Sequence, residues 1–374
     1  MGSACGNRRF RGRMTAMSLP LTPPVKPMLA RAVAKIPDAT DLLFEPKWDG
    51  FRCLIFRDGA EITLQSRSGK PLNRYFPEVL EHVAEVLPDR VVMDGELVVA
   101  VGGRLDFDAL SERVHPAASR VRMLAEKTPA QFVAFDLLAL GDESLLDQPT
   151  GDRRDRLTEL AGTGLHVTPA TDDPATARHW FTLFEGAGLD GVIGKPLAEG
   201  YSPGKRIMLK YKHSRTADCV VAGLRWHVDG AQGEAVGSLQ LGLYDDVGVL
   251  HHVGVVGSFT AEYRRELAVE LAPLITDGEH PWLGDATTDG QRLPGGVSRW
   301  RSTEQPWVPL RPERVVEVGY EHTEGGMPSR FRHTAQFKRW RPDREPASCG
   351  YGQLEEPARY DLDAVFRGEV VRTR

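Results

Sequence analysis

The chain has 374 residues, enough for two domains of ordinary size, with 41% hydrophobic and 26% charged residues. A formal net charge of −5 excludes a histone-like protein that grips polyanions by bulk charge, so any such contact must come from local basic patches. Cys5, Cys53, Cys219 and Cys349 stand far apart with no Cys-x-x-Cys pair, which excludes a zinc finger or a disulfide framework and fits a reducing cytoplasm. No apolar run approaches the length of a membrane span. The first sixteen residues are polar and basic, without the apolar stretch of a secretory signal.

Residues 1–17 read as a disordered extension, with Met17 a second candidate start. Pro20, Pro23, Pro24 and Pro27 punctuate an extended lead-in over 18–30. Strands are predicted at 42–48, 51–57 and 61–66, the last two joined by the turn Arg57-Asp58-Gly59-Ala60. Apolar residues at helical spacing predict a helix over 76–87. Strands follow at 91–99 and 132–138, helices at 152–161 and 174–187, and strands at 190–195 and 207–212. A boundary is expected at His213–Thr216. Beyond it the pattern turns to short β segments at 218–226, 238–244, 249–257 and 314–322, with one helix at about 260–274. Short strands with one inserted helix are what a small Greek-key barrel of the OB type needs. The stretch 278–312 is rich in Pro and Gly and predicts a loop, and the tail from 346 lacks periodicity.

The chemistry centres on Glu45-Pro46-Lys47-Trp48-Asp49-Gly50-Phe51-Arg52. Lys47 falls at a bend between two apolar runs. Desolvation and neighbouring cations both disfavour the ammonium form, and a neutral lysine is a nucleophile. Further along come Ser66-Arg67-Ser68-Gly69-Lys70, Asp94-Gly95-Glu96 inside an otherwise apolar strand, and Phe135 in Val133-Ala134-Phe135-Asp136. A strand carboxylate such as Glu96 is costly unless it is paired or ligating. Then follow Asp190-Gly191-Val192-Ile193-Gly194-Lys195, Leu209-Lys210-Tyr211-Lys212 and Arg341-Pro342-Asp343-Arg344. Strand alternation puts Lys210 and Lys212 on one face, where two cations suit a triphosphate.

In this order the segments resemble the motifs of the covalent nucleotidyltransferases, which comprise DNA ligases, RNA ligases and mRNA capping enzymes. The resemblance spans residues 45 to 344. It is closest to compact bacterial ATP-dependent DNA ligases of the actinobacterial ligase C type. It implies an α+β fold: a nucleotidyltransferase domain of ATP-grasp-like antiparallel sheets with helices over 18–214, an OB-fold β-barrel over 215–345, and a tail at 346–374. It further implies that Lys47 attacks the α-phosphate of ATP and carries AMP. Glu45, Arg52, Arg67, Glu96, Phe135, Lys210, Lys212, Arg341 and Arg344 would bind ATP. Phe135 would stack on the base, and Arg341 and Arg344 would orient the departing pyrophosphate. Glu96 and Asp190 would hold Mg²⁺ or Mn²⁺, although the family usually has Glu at the position of Asp190. A hinge at His213–Thr216 would let the second domain close and turn away. The implied partner is nicked duplex DNA, with no membrane, and a cytoplasmic monomer acting in repair is expected.

Three other readings stay open at this level. A GTP-using capping enzyme or an RNA ligase shares most of these motifs, and a non-catalytic nucleic-acid-binding relic keeps the fold. An NAD-dependent ligase is disfavoured, since it would need zinc-ligating cysteines and an added N-terminal domain.

Overall fold

The computed structural model describes residues 18–354 apart from Ala39, Pro116, 184–188, Asp190, Ser214, Gly230 and 296–305. The expected extension over 1–17, the end of the helix placed at 174–187, and the tail beyond 354 therefore lie outside the described residues. Two compact units meet in sequence at Lys212 and His213.

The first unit contains two sheets. One runs β1 (Leu29–Ala32), β11 (Arg206–Tyr211), β10 (Val192–Pro196), β2 (Leu42–Pro46). β1 pairs with β11 in parallel, and the other neighbours are antiparallel. The second sheet runs β4 (Glu61–Ser66), β3 (Phe51–Asp58), β5 (Arg90–Val101), β7 (Ala130–Leu140), β8 (Glu143–Ser144). Two short strands attach to it: β6 (Arg104–Leu105) to β5, and β9 (His166–Val167) to β7. Helices α1 (Pro77–Val86), α2 (Phe107–Glu112), α3 (Ala118–Lys127), α4 (Thr150–Leu160) and α5 (Pro174–Leu183) complete the unit. Neither α2 nor α3 was foreseen, because α2 is under two turns and Met123 and the charged face of α3 dilute the apolar stripe.

Alternation along β5 organises the packing. Val91, Met93, Leu97 and Val99 face a core shared with Val79 and Val83 of α1 and Leu157 of α4. The opposite face carries Val92 and Val98, which pack toward Met208 of β11 and Phe44 of β2 in the other sheet. Asp94 and Glu96 share that inter-sheet face by the same period. The chain crosses from β2 to β3, and so from one sheet to the other, through residues 47–50. Gly50 is dictated by this crossing: a Cβ there would meet the Leu97 carbonyl oxygen at 2.1 Å. Gly50→Ala is accordingly expected to destabilise the unit by about 1–3 kcal/mol, read as a lowered midpoint in thermal unfolding.

The lead-in over 18–28 is pinned as a strap along the unit. The Ser18 amide donates to Asp58, and Val25 exchanges two hydrogen bonds with the buried Gln65 side chain. The Met28 amide donates to the Tyr201 hydroxyl at 2.8 Å.

The second unit is a five-stranded antiparallel sheet ordered β14 (Leu250–Val256), β13 (Val236–Tyr244), β12 (Arg215–Trp226), β15 (Val308–Tyr320), β18 (Gln336–Trp340). A parallel bridge between Val256 and Ala335 closes it, with the Ala335 amide donating to Val255 at 2.8 Å. Helix α6 (Ala261–Leu271) lies between β14 and β15 in sequence, and a small hairpin forms from β16 (Thr323–Glu324) and β17 (Arg330–Phe331). This closure with one inserted helix is the OB arrangement. β15 begins six residues before the predicted strand because Pro309 and Pro312 mask it. They sit at a register shift where Val221 pairs with Arg314 and Gly223 with Pro309.

The expected loop over 278–312 is anchored at its start. Buried Trp282 donates its indole N–H to Leu250, and buried His280 contacts the Ala222 and Leu310 carbonyls. The tail expected from 346 begins as part of this unit: the Gln353 amide accepts from the Asp218 N–H and donates to its carbonyl. Arg215 and Thr216, expected in a hinge, are the first residues of β12, while Ser214 lies outside the described residues.

Candidate active site

The seam between the two sheets of the first unit opens as a cleft lined by Glu45, Lys47, Arg52, Arg67, Glu96, Phe135 and Lys210. All seven were singled out in the sequence. Leu29, Ala30, Ile193 and Met208 give the cleft an apolar wall. Lys47 sits directly after β2, where its backbone N–H donates to the Gly191 carbonyl at 2.8 Å. Gly191 has φ of 116°, and a Cβ there would meet the Tyr211 carbonyl oxygen at 2.0 Å, so only glycine brings the chain this close. The neighbouring Trp48 is buried and donates to Thr168 at 2.8 Å.

Arg52 is held from behind. Its Nε and Nη2 each donate to Asp94 at 2.5 Å, and Nη2 also donates to the Met28 carbonyl at 3.2 Å. Its guanidinium lies 4.5 Å from the centre of the Phe135 ring. Asp94 is fully buried and receives a third hydrogen bond from the Tyr201 hydroxyl at 2.5 Å. Burial works against the Arg52 charge, but Asp94 outweighs it and holds the guanidinium firmly protonated.

A second buried charge network backs the cleft. Lys195 Nζ donates to the Phe135 carbonyl at 2.5 Å and lies 2.9 Å from Glu45 Oε2 and 3.7 Å from Asp136. Arg153 pairs with Asp136 at 2.8 Å. Burial raises the Glu45 carboxyl, opposed by Lys195 and Arg154. Burial also opposes ionisation of Asp136, but Lys195 and Arg153 prevail and hold it below its ordinary range.

Glu96 is pushed up to about 7 by burial, with Arg52 and Lys47 pulling the other way. The folded state therefore keeps this proton to about pH 7, while the unfolded chain releases it near 4.5. Between those values the folded state binds more protons, so stability falls as pH rises. Relative to Glu96→Gln, the wild-type protein is expected to lose on the order of 1–3 kcal/mol between pH 4.5 and 7.5 without nucleotide or metal. Parallel thermal melts of the two proteins check this, and curves that stay parallel across the range would refute it.

Four further residues were singled out in the sequence. Lys212 is one residue beyond the end of β11 and is not among the lining residues. Asp190 lies outside the described residues. Arg341 and Arg344 belong to the second unit. There Arg341 Nη1 donates to both Asp218 oxygens at 2.9 Å and its Nη2 pairs with Asp343 at 2.8 Å, while Arg344 lies 3.3 Å from Asp218. Sequence reasoning gave no role to Asp94, Lys195 or Tyr201. Asp94 and Lys195 stand inside quoted motifs, whereas a tyrosine in the turn-rich stretch after β10 carries no signal of its own. Among the described residues no group of three or more His, Cys, Asp or Glu gathers into a metal cage. No described helix is long and apolar enough to cross a membrane.

Comparison with known proteins agrees with this geometry. The family model for the ATP dependent DNA ligase domain matches residues 27–212, and that for the ATP dependent DNA ligase C terminal region matches 232–344. The chain is 53% identical to DNA ligase C of Mycobacterium tuberculosis over 363 residues, covering 94% of this chain and 99% of that one. It is 55% identical to DNA ligase C2 of Mycolicibacterium smegmatis over 350 residues, covering 91% and 97%. It is also 34% identical to the M. tuberculosis multifunctional non-homologous end joining DNA repair protein LigD over 315 residues, covering 83% of this chain and 37% of that one. With its cleft at the seam of two mainly antiparallel sheets, its closed OB barrel and these matches along both units, the chain belongs to the ATP-dependent DNA ligase family.

Proposed function

We propose that Lys47 accepts the adenylyl group of ATP, and that the enzyme then passes it to the 5′-phosphate of a nick in duplex DNA. The observation that carries this reading is the convergence of Lys47, Arg52, Glu96 and Lys210 on one cleft. In the first step Lys47 Nζ attacks the α-phosphorus and loses a proton. A P–N bond forms, and the bond to pyrophosphate breaks. The nick's 5′-phosphate oxygen then displaces Lys47 from the adenylyl phosphorus. Finally the 3′-hydroxyl attacks the 5′-phosphate, and AMP leaves. Such chemistry asks for positioning and charge neutralisation more than for covalent help.

On this reading Lys210 and Lys212 neutralise the α-phosphate, Arg52 and Arg67 hold ribose or phosphate, and Phe135 stacks on the base. Glu45 supports adenine: its Oε1 is buried with no hydrogen-bond partner and suits an exocyclic amine. Arg341 and Arg344 orient pyrophosphate, exchanging the carboxylates that hold them. Glu96 and Asp190 are the metal-binding candidates. A hard cation such as Mg²⁺ or Mn²⁺ needs only one or two carboxylates beside substrate phosphates, and Glu96 at the cleft fits that donor set. When bound, the ion supplies further charge neutralisation at the phosphates. We extend the reading to a cytoplasmic monomer acting in DNA repair. A repair protein among the relatives and the buried free Cys53, Cys219 and Cys349 support it.

The test is incubation of deadenylylated protein with α-labelled ATP or GTP and Mg²⁺ or Mn²⁺, followed by nicked duplex DNA. A covalent label from ATP alone, discharged as the nick is sealed, is the expected result. A label from GTP alone, or none, overturns it.

A further inference from the structure

We propose that Lys195 is a positioning residue that sets the nucleobase preference of the cleft, by holding Glu45 with one carboxylate oxygen turned to the exocyclic amine of the bound purine. The proposal rests on the reading of the cleft as a nucleotide site and adds a determinant to it. Lys195 is 2% exposed on β10 and reaches across the seam between the sheets. It joins Glu45 of β2 to the Phe135 carbonyl and Asp136 of β7, at 2.9, 2.5 and 3.7 Å. A buried ammonium is tolerated only where its donors are met, and here the acceptors come from both walls of the slot.

The Glu45 carboxylate is thereby divided. Oε2 is taken by Lys195, whereas Oε1 is buried with no hydrogen-bond partner and lies 3.7 Å from Arg154. An ionised carboxylate accepts and never donates. Oε1 therefore pairs with a 6-amino group and repels a 6-keto oxygen. Without the lysine charge, burial favours a protonated carboxyl that can donate to a keto oxygen, and the side chain is released to turn. Lys195 thus fixes both the direction and the acceptor character of Glu45.

The test follows initial rates of covalent labelling with ATP, GTP and purine riboside 5′-triphosphate, which lacks the 6-amino group. Wild type, Lys195→Met, Glu45→Gln and the double variant are compared. Wild type is expected to favour ATP over the deamino analogue by about tenfold to a hundredfold in kcat/KM. Lys195→Met is expected to cut that ratio to about threefold or less through KM for ATP, with labelling at saturation retained. In the Glu45→Gln background the same change is expected to leave the ratio where Glu45→Gln alone puts it. Lys195→Gln keeps a donor for the Phe135 carbonyl and is read in place of Lys195→Met, with the same expectations, if that variant does not fold. An equal loss with all three triphosphates makes Lys195 a purely structural residue and overturns the proposal. A collapsed ratio in Glu45→Gln with an intact one in both Lys195 variants removes Lys195 alone. An intact ratio in Glu45→Gln removes the role of Glu45 in base reading, and the proposal with it. No label on the wild-type protein refutes the nucleotide site itself.

Discussion

Lys47→Ala is expected to lose covalent nucleotide labelling by at least about a thousandfold, since no other group takes over a nucleophile's bond. Lys47→Arg is expected to be equally inert, because a guanidinium stays protonated and offers no lone pair. Binding of ATP should weaken by less than about tenfold in Lys47→Ala, because the remaining cleft contacts persist. That variant should still join a nick whose 5′ end already carries AMP, since the last step breaks no bond to the lysine. Labelling by gel, equilibrium ATP binding and sealing of a preadenylylated nick separate the three. Residual labelling above one per cent would move the nucleophile elsewhere.

The reach of the sequence follows from how local each feature is. Alternation, turn residues and helical spacing act within about ten residues, so β3, β4, α1 and α6 were readable from their own segments. The cleft residues were readable because the motifs keep chemistry-bearing side chains in fixed local contexts. What escaped was relational. β18 is five residues long with three of them exposed, and only its pairing with β15 makes it a strand. Lys212 looked equivalent to Lys210 by alternation, but β11 ends at Tyr211, so strand geometry does not extend to it. Asp94 reads as a companion of Glu96 in sequence, yet it lies under three donors while Glu96 lines the cleft.

The second large effect falls on Asp94. Asp94→Ala leaves the Arg52 guanidinium and the Tyr201 hydroxyl without their common acceptor in a buried setting. Removing one side of such a pair costs about 3–5 kcal/mol, or roughly ten degrees in thermal midpoint for a unit of this size. Asp94→Asn should lose less, since it keeps one acceptor. Adding Arg52→Leu to Asp94→Ala should restore part of the stability, because the orphaned charge goes with it. KM for ATP should rise in every one of these variants, as Arg52 is misdirected or missing. A double variant no more stable than Asp94→Ala would show that the loss does not come from the stranded charge.

The strap before β1 has a bearing on how the chain is made. Met28 waits for Tyr201, 173 residues later in the sequence, and β1 pairs with the still later β11. At roughly 5–20 residues per second of synthesis, Met28 and β1 leave the ribosome about ten to thirty seconds before these partners. One wall of the cleft is therefore completed only after most of the unit has been translated. Long-range parallel pairing of this kind is also slow to close. Met28 and β1 should be the last parts of the first unit to gain protection in pulse-labelled hydrogen exchange during refolding, well after the β3–β4 hairpin.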